Sequence, residues 1–152
     1  MLQEKAPAKI NLTLEVLHKR PDGYHEIRSV LQKISLCDTL SFQPAGHVFC
    51  AADWPEWAAE KSLVPRAVRL MQALVREARG VAISIEKRIP MLAGLGGDSS
   101  DAAAVLRGLN ELWELKLPPK KLMKMATELG SDTAFFLNGS TALAEGRGEK
   151  IT

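Results

Sequence analysis

The segment Pro90-Met-Leu-Ala-Gly94-Leu-Gly96-Gly97-Asp98-Ser99-Ser100-Asp101 constrains this chain more than any other. It follows the strand-like Val81–Ile85 and opens a helix-like run from about Ser99 to Trp113. Glycine carries no side chain, so a glycine loop lets backbone amides approach a ligand closely. A helix start adds unpaired N–H groups and the positive end of its dipole. Together these make a seat for phosphate. The loop is not a Walker A motif, because no Gly-Lys-Ser/Thr closes it. It is not the dinucleotide fingerprint either, because Ser99 stands at the third glycine position. A plain helix start would explain Asp98 as an N-cap with Asp101 three residues on. It would not explain Gly94, Gly96 and Gly97 together.

At 152 residues the chain is one domain with room for a core. A net charge of +2 argues against a nucleic-acid partner held by basic excess. No apolar run is long enough to span a membrane, and Lys5 and Lys9 interrupt any signal-peptide pattern. Cys37 and Cys50 have neither metal spacing nor a disulfide framework. A reducing cytoplasm is the expected compartment.

Lys9 to Leu17 alternates, with Ile10, Leu12, Leu14 and Val16 on the side expected to be buried and Lys9 and Asn11 together on the polar side. Pro21-Asp22-Gly23 marks a turn. Further strands are predicted over Glu26–Leu36, Thr39–Gln43 and His47–Ala51. Ser62 is placed to cap a helix reaching about Arg79, with Pro65 in its first turn and Gly80 ending it. Pro118-Pro119 starts another helix, stopped by Gly130. Ala134–Leu137 reads as a strand or a short helix, and Thr141–Ala144 as a strand. Interleaved strands and helices give an α/β or α+β class. Trp54, Trp57 and Trp113 read as packing residues, and Lys120, Lys121 and Lys124 as the solvated face of a helix.

Four blocks stand in a characteristic order: Pro7-Ala-Lys9-Ile-Asn11, Arg20-Pro-Asp-Gly-Tyr24-His25, the glycine loop, and Gly130-Ser-Asp132 followed by Glu145-Gly-Arg-Gly-Glu149. This pattern resembles the GHMP kinases throughout the chain. The resemblance implies an α+β lobe with the architecture of ribosomal protein S5 domain 2, a mixed sheet packed with helices. It implies that residues 1–152 are the N-terminal, ATP-binding lobe, with the family's C-terminal lobe absent from this chain. It also implies ATP-dependent phosphorylation of a hydroxyl on a diphosphocytidyl-bearing isoprenoid precursor.

The resemblance assigns roles residue by residue. Lys87, Pro90, Gly94, Leu95, Gly96, Gly97, Asp98, Ser99 and Ser100 would hold the nucleotide phosphates. Asp132 would accept the hydroxyl proton, with Lys9 paired to it. Asn11, Tyr24 and His25 would position the substrate, Tyr24 by stacking on the pyrimidine. On residue pattern alone, Asp132 could equally be a cap, Lys9 a solvated edge, Lys87 an exposed lysine, and Tyr24-His25 a hairpin flank. Departures from the family pattern are Ser131, Thr133 and Ala134 around Asp132, Ser62 at an adenine-contacting position, and Asp98 where a glycine is usual. Asp98 could cap its helix, point outward or meet a magnesium ion, and capping fits best. Mg2+ is expected with a triphosphate donor. No motif names its protein ligands, although Ser99 and Ser100 are candidates. Another small-alcohol GHMP kinase and a non-catalytic phosphate-binding lobe remain as alternatives.

Overall fold

A computed structural model describes residues 1–152. Its spine is a hairpin of two long strands, β1 (Leu2–Lys19) and β2 (His25–Ala45), paired antiparallel with register shifts at Pro7/Lys9, Asn11/Thr13 and Val16/His18. The other edge of β2 is shared. Thr39–Ala45 pairs with β4 (Gly80–Glu86), and Ile27–Gln32 pairs with β5 (Thr141–Gly146). β3 (Val48–Ala52) adds to β4 in parallel, and β6 (Lys150–Ile151) adds to β5 antiparallel, giving a six-stranded mixed sheet. Four helices cover it: α1 (Val64–Gln72), α2 (Gly97–Leu112), α3 (Pro119–Leu129) and α4 (Thr133–Leu137). The alternation in β4 shows that one sheet face is covered. Val81, Ile83 and Ile85 are buried, whereas Ser84 and Glu86 reach solvent. The class is α+β.

The main core joins Leu40, Phe42, Val81 and Ile83 of the sheet to Val68 and Met71 of α1 and to Leu106 and Leu109 of α2. Each large apolar side chain fully buried there contributes roughly 1.5–3 kcal/mol of transfer free energy. Gly108 brings α2 unusually close to the sheet, since a Cβ there would lie 2.6 Å from the Phe42 ring. A smaller cluster of Leu31, Ala103, Phe135, Phe136, Ala142 and Ala144 seats α4 between α2 and the β2–β5 pair. No helix is long and apolar enough to cross a membrane.

Several expectations are corrected. The predicted strands 26–36 and 39–43 are one strand, because β2 runs on through Cys37 and Asp38, which pair with Pro7 and Ala6 of β1. The polar Asp38 signals no interruption there; its carboxylate is buried and fully used, as described below. α1 ends at Gln72 rather than near Arg79. Leu74 and Val75 instead donate to Met71 and Gln72, three residues back, so the chain tightens out of the α-helix. Leu12, Leu14 and Val16 are 56%, 58% and 61% exposed rather than buried. β1 forms the outer edge of the sheet, and no element of this chain packs on that stretch. Ala134–Leu137 takes the helical alternative as part of α4.

Candidate active site

The loop between β4 and α2 is shaped by left-handed backbone at Gly94 (φ 75°) and Gly96 (φ 72°). Gly96 is also the last residue before α2. A Cβ on it would lie 2.9 Å from Phe136 Cζ and 3.1 Å from Lys9 Cγ. The loop, β1 and α4 therefore meet at one point that only glycine fits. The Lys9 N–H donates to the Leu95 carbonyl at 2.9 Å, stitching β1 to the loop. Ser100 N–H closes the first turn of α2 onto Gly96. The N–H groups of Gly97, Asp98 and Ser99 find no acceptor in the chain.

These residues line a cleft of about 640 Å3 together with Trp54, Trp57, Lys61 and Ser62. Trp113 is core packing, as expected. Trp54 and Trp57 are not packing alone, because they line the same cleft as the glycine loop. Their spacing from the loop in sequence gave no signal of that.

Lys87, Pro90 and Leu95 also line the cleft, but Lys87 is no exposed lysine. It is 4% exposed, and its ammonium lies 2.5 Å from Asp38 Oδ2 and 2.9 Å from Asp101 Oδ2. Asp38 Oδ1 also accepts the backbone N–H groups of Arg88 and Ile89, at 2.5 and 2.9 Å. The Lys87 N–H donates to Asp53 at 2.7 Å. Three side-chain bonds thus fix the backbone where it leaves β4 for the loop. Burial disfavours the Lys87 ammonium, but the Asp101 and Asp38 carboxylates outweigh it and its pKa is raised. Burial pushes the Asp101 carboxyl up to about 8, opposed by Lys87 and reinforced by Asp38. One ammonium facing two carboxylates is neutral when Asp101 holds a proton. Neither Asp38 nor Asp101 was read from the sequence as Lys87's partner.

Asp98 does not cap its own helix. Its carboxylate accepts the Ser62 hydroxyl at 2.6 Å and the Leu63 N–H at 3.0 Å, so it caps α1 instead. Ser62 Oγ accepts the Val64 N–H at 3.1 Å. Asp101 is not a capping partner but part of the buried ion cluster. Ser99 lines the cleft, whereas Ser100 is fully buried with its hydroxyl enclosed and unpartnered. Ser100 thus sits beneath the cleft lining rather than on it. No group of three or more His, Cys, Asp and Glu side chains converges to hold a metal ion. Ser99 is the one loop hydroxyl that lines the cleft.

A register shift between Pro7 and Lys9 breaks the alternation of β1, so Ala8 and Lys9 are both buried. Lys9 Nζ donates to Asn11 Oδ1 at 2.8 Å, Asn11 Nδ2 to Ser29 Oγ at 2.8 Å, and Ser29 to the Thr13 carbonyl at 2.6 Å. The expected ion pair between Lys9 and Asp132 is not formed. Asp132 immediately precedes α4, is half-buried, and makes no hydrogen bond or ion pair of its own. The far end of α4 is clamped: Lys33 and Arg107 both donate to the Phe136 carbonyl at 3.2 Å, and Lys33 to Asn138 at 2.7 Å. Cations at a helix C-terminus satisfy carbonyls that the helix leaves open.

Tyr24 and His25 lie exposed at the tip of the β1–β2 hairpin. The turn is held by Tyr24 N–H on Asp22 and by Arg20 on Asp22 and Glu26. Arg147, from the β5–β6 turn, lies 4.8 Å above the centre of the Tyr24 ring. In the sequence Arg147 stands out only as part of the Glu145–Glu149 block. The same turn leads back to Asp132, since a Cβ on Gly148 would sit 4.0 Å from Ser131 Cβ and 3.7 Å from Ile27 Cδ1. Contacts thus join the glycine loop to Lys9 and α4 at one end, and Tyr24 through the Arg147 turn to Ser131 beside Asp132 at the other.

Residues 62–140 match the sequence profile of the GHMP kinases N terminal domain. The chain belongs to the GHMP kinase family. A 4-diphosphocytidyl-2-C-methyl-D-erythritol kinase of Dehalococcoides mccartyi is 57% identical over 152 residues, covering all of this chain and 54% of that protein. The crystal structure of a 4-(cytidine 5'-diphospho)-2C-methyl-D-erythritol kinase superposes with a TM-score of 0.86 at 40% identity, over 99% of this chain and 54% of that one. A mevalonate kinase structure, 13% identical with a TM-score of 0.77 and matched over 55% of its length, shares the fold. This GHMP kinase chain spans about half the length of the relatives it matches.

Proposed function

We propose that this chain is the N-terminal, nucleotide-binding lobe of an ATP-dependent kinase that phosphorylates the 2-hydroxyl of 4-diphosphocytidyl-2-C-methyl-D-erythritol, a cytoplasmic step of the non-mevalonate isoprenoid pathway. The contact at Gly96 carries the reading, because it packs the phosphate loop against both Lys9 and the helix that follows Asp132. The similarity to enzymes of that name supports the substrate. A second lobe, supplied by sequence beyond the matched half, completes the enzyme in this reading.

The triphosphate would lie on the free N–H groups of Gly97, Asp98 and Ser99, at the positive end of α2. Trp54, Trp57 and Pro90 would border the base. The cytosine would stack on the Tyr24 face opposite Arg147, with His25 at its edge and Asn11 orienting the chain that carries the hydroxyl. Asp132, free of internal partners, accepts the hydroxyl proton as the oxygen attacks the γ-phosphorus and ADP leaves. Lys9 holds positive charge beside that developing oxygen. Magnesium, bound through the phosphates, would neutralise their charge. The reading is tested by amide chemical-shift mapping. A non-hydrolysable ATP analogue should move Gly94–Ser99, and the diphosphocytidyl alcohol should move Asn11, Tyr24 and His25. Loop shifts without any response to the cytidyl ligand would transfer the assignment to another small-alcohol kinase.

A further inference from the structure

Asp98 puts a negative charge inside a loop assigned to a triphosphate, and its contacts explain how the charge is tolerated. Oδ1 accepts the Ser62 hydroxyl at 2.6 Å, and the two carboxylate oxygens share the Leu63 N–H at 3.2 and 3.0 Å. Ser62 Oγ receives the Val64 N–H at 3.1 Å. Leu63 and Val64 stand at the start of α1, where N–H groups have no partner within the helix. The carboxylate therefore occupies the positive end of α1 and is partly neutralised there. The N–H groups of Gly97–Ser99, at the start of α2, stay open a residue or two away. Ser62 donates its one proton to Asp98, so its hydroxyl has no proton left to offer a ligand.

We infer that Asp98 and Ser62 form a latch that ties the phosphate loop to α1 and holds the Gly97–Ser99 amides in a phosphate-binding arrangement. Asp98 is then a positioning residue, acting through the loop backbone. The inference rests on the nucleotide reading above, and its test separates the two. A carboxylate acting only by its charge would repel phosphate, so removing it would tighten binding. A latch makes the opposite prediction.

The experiment titrates this chain with the β,γ-imido analogue of ATP and Mg2+, and reads heteronuclear NOEs across residues 94–99 without ligand. Asp98→Ala should weaken the analogue about 3- to 10-fold, the scale of one or two lost hydrogen bonds. Asp98→Asn, which keeps an acceptor for Ser62 and Leu63, should restore most of the affinity. Ser62→Ala should weaken binding alone and add little to Asp98→Ala. The NOEs of residues 94–99 should fall in Asp98→Ala. Equal or tighter binding by Asp98→Ala, or additive effects of the two alanines, would overturn the latch. So would unchanged loop NOEs, which would leave Asp98 as a cap for α1 alone. A wild-type chain that binds no analogue refutes the nucleotide reading, while the NOE comparison still decides whether the latch orders the loop.

Discussion

The two ends of the site are built differently. Beneath the phosphate loop, Lys87, Asp38 and Asp101 are buried and paired, and the backbone from Lys87 to Ile89 is tied down by carboxylates. At the substrate end, Asp132 has no partner, Tyr24 and His25 project from a hairpin tip, and Leu12, Leu14 and Val16 lie bare along the same hairpin. The glycine-loop end is fixed by this chain's own ion pairs and packing. The end proposed for the alcohol is open, with Leu12, Leu14 and Val16 exposed beside it. Order at the seat is supplied by ion pairs and close packing, whereas order at the other end depends on what binds there.

The contrast breaks most severely at Lys87. Lys87→Met strands Asp38 and Asp101 in the core, and we expect a loss of about 3–5 kcal/mol in denaturant unfolding. Gly96→Ala comes next. It forces a side chain into left-handed backbone and into Phe136 and Lys9, for an expected cost of about 1–3 kcal/mol. Its amide shifts should spread to α4 and β1, because all three meet there. An alanine tolerated without such shifts would deny that the loop is packed into place.

A third effect depends on pH. Asp101 holds its proton more tightly folded than unfolded, with a folded pKa of about 8 against the ordinary aspartate value of 3.8. Its contribution is complete below the unfolded value and is lost as pH rises through about 8. The slope is at most on the order of 1 kcal/mol per pH unit. Lys87, raised by the same carboxylates, loses its contribution only above 10.5. Asp101→Asn should therefore gain on the wild type in Tm as pH goes from 5 to 8, and parallel curves would refute the proton on Asp101. The smallest stability effect belongs to Tyr24→Ala, within about 0.5 kcal/mol because the ring is exposed. The same change should weaken the diphosphocytidyl ligand by about 1–3 kcal/mol, read by titration.

The glycine loop, the strand before it and the helix after it were legible in the sequence because glycine spacing and apolar periodicity are local signals. Lys9 and Asp132 were legible as residues but not as geometry. Lys9 beside Asn11 was legible, because the alternation puts both on one side of β1. The bulge that buries Lys9 beside Ala8 depends on β2 and has no trace in the β1 pattern. The partners of Lys87 were hidden because Asp38 is 49 residues and Asp101 14 residues away. A lone aspartate within a strand reads as a break until the buried cation it serves is known. Asp98 misled in the other direction. Its position before a helix suggests a cap, and it is one, but for α1 rather than for its own helix. Leu12, Leu14 and Val16 show the limit of periodicity, which marks an apolar face without saying what covers it.

The central claim is that α2 begins in a phosphate seat already formed by this chain. Titration with inorganic triphosphate, followed by amide shifts, tests it without help from a base or a substrate. The account predicts saturable shifts at Gly97, Asp98 and Ser99, extending through Gly94 and Gly96, with Tyr24 and His25 unmoved. Shifts confined to the lysines of α3, or none at Gly97–Ser99, would contradict it.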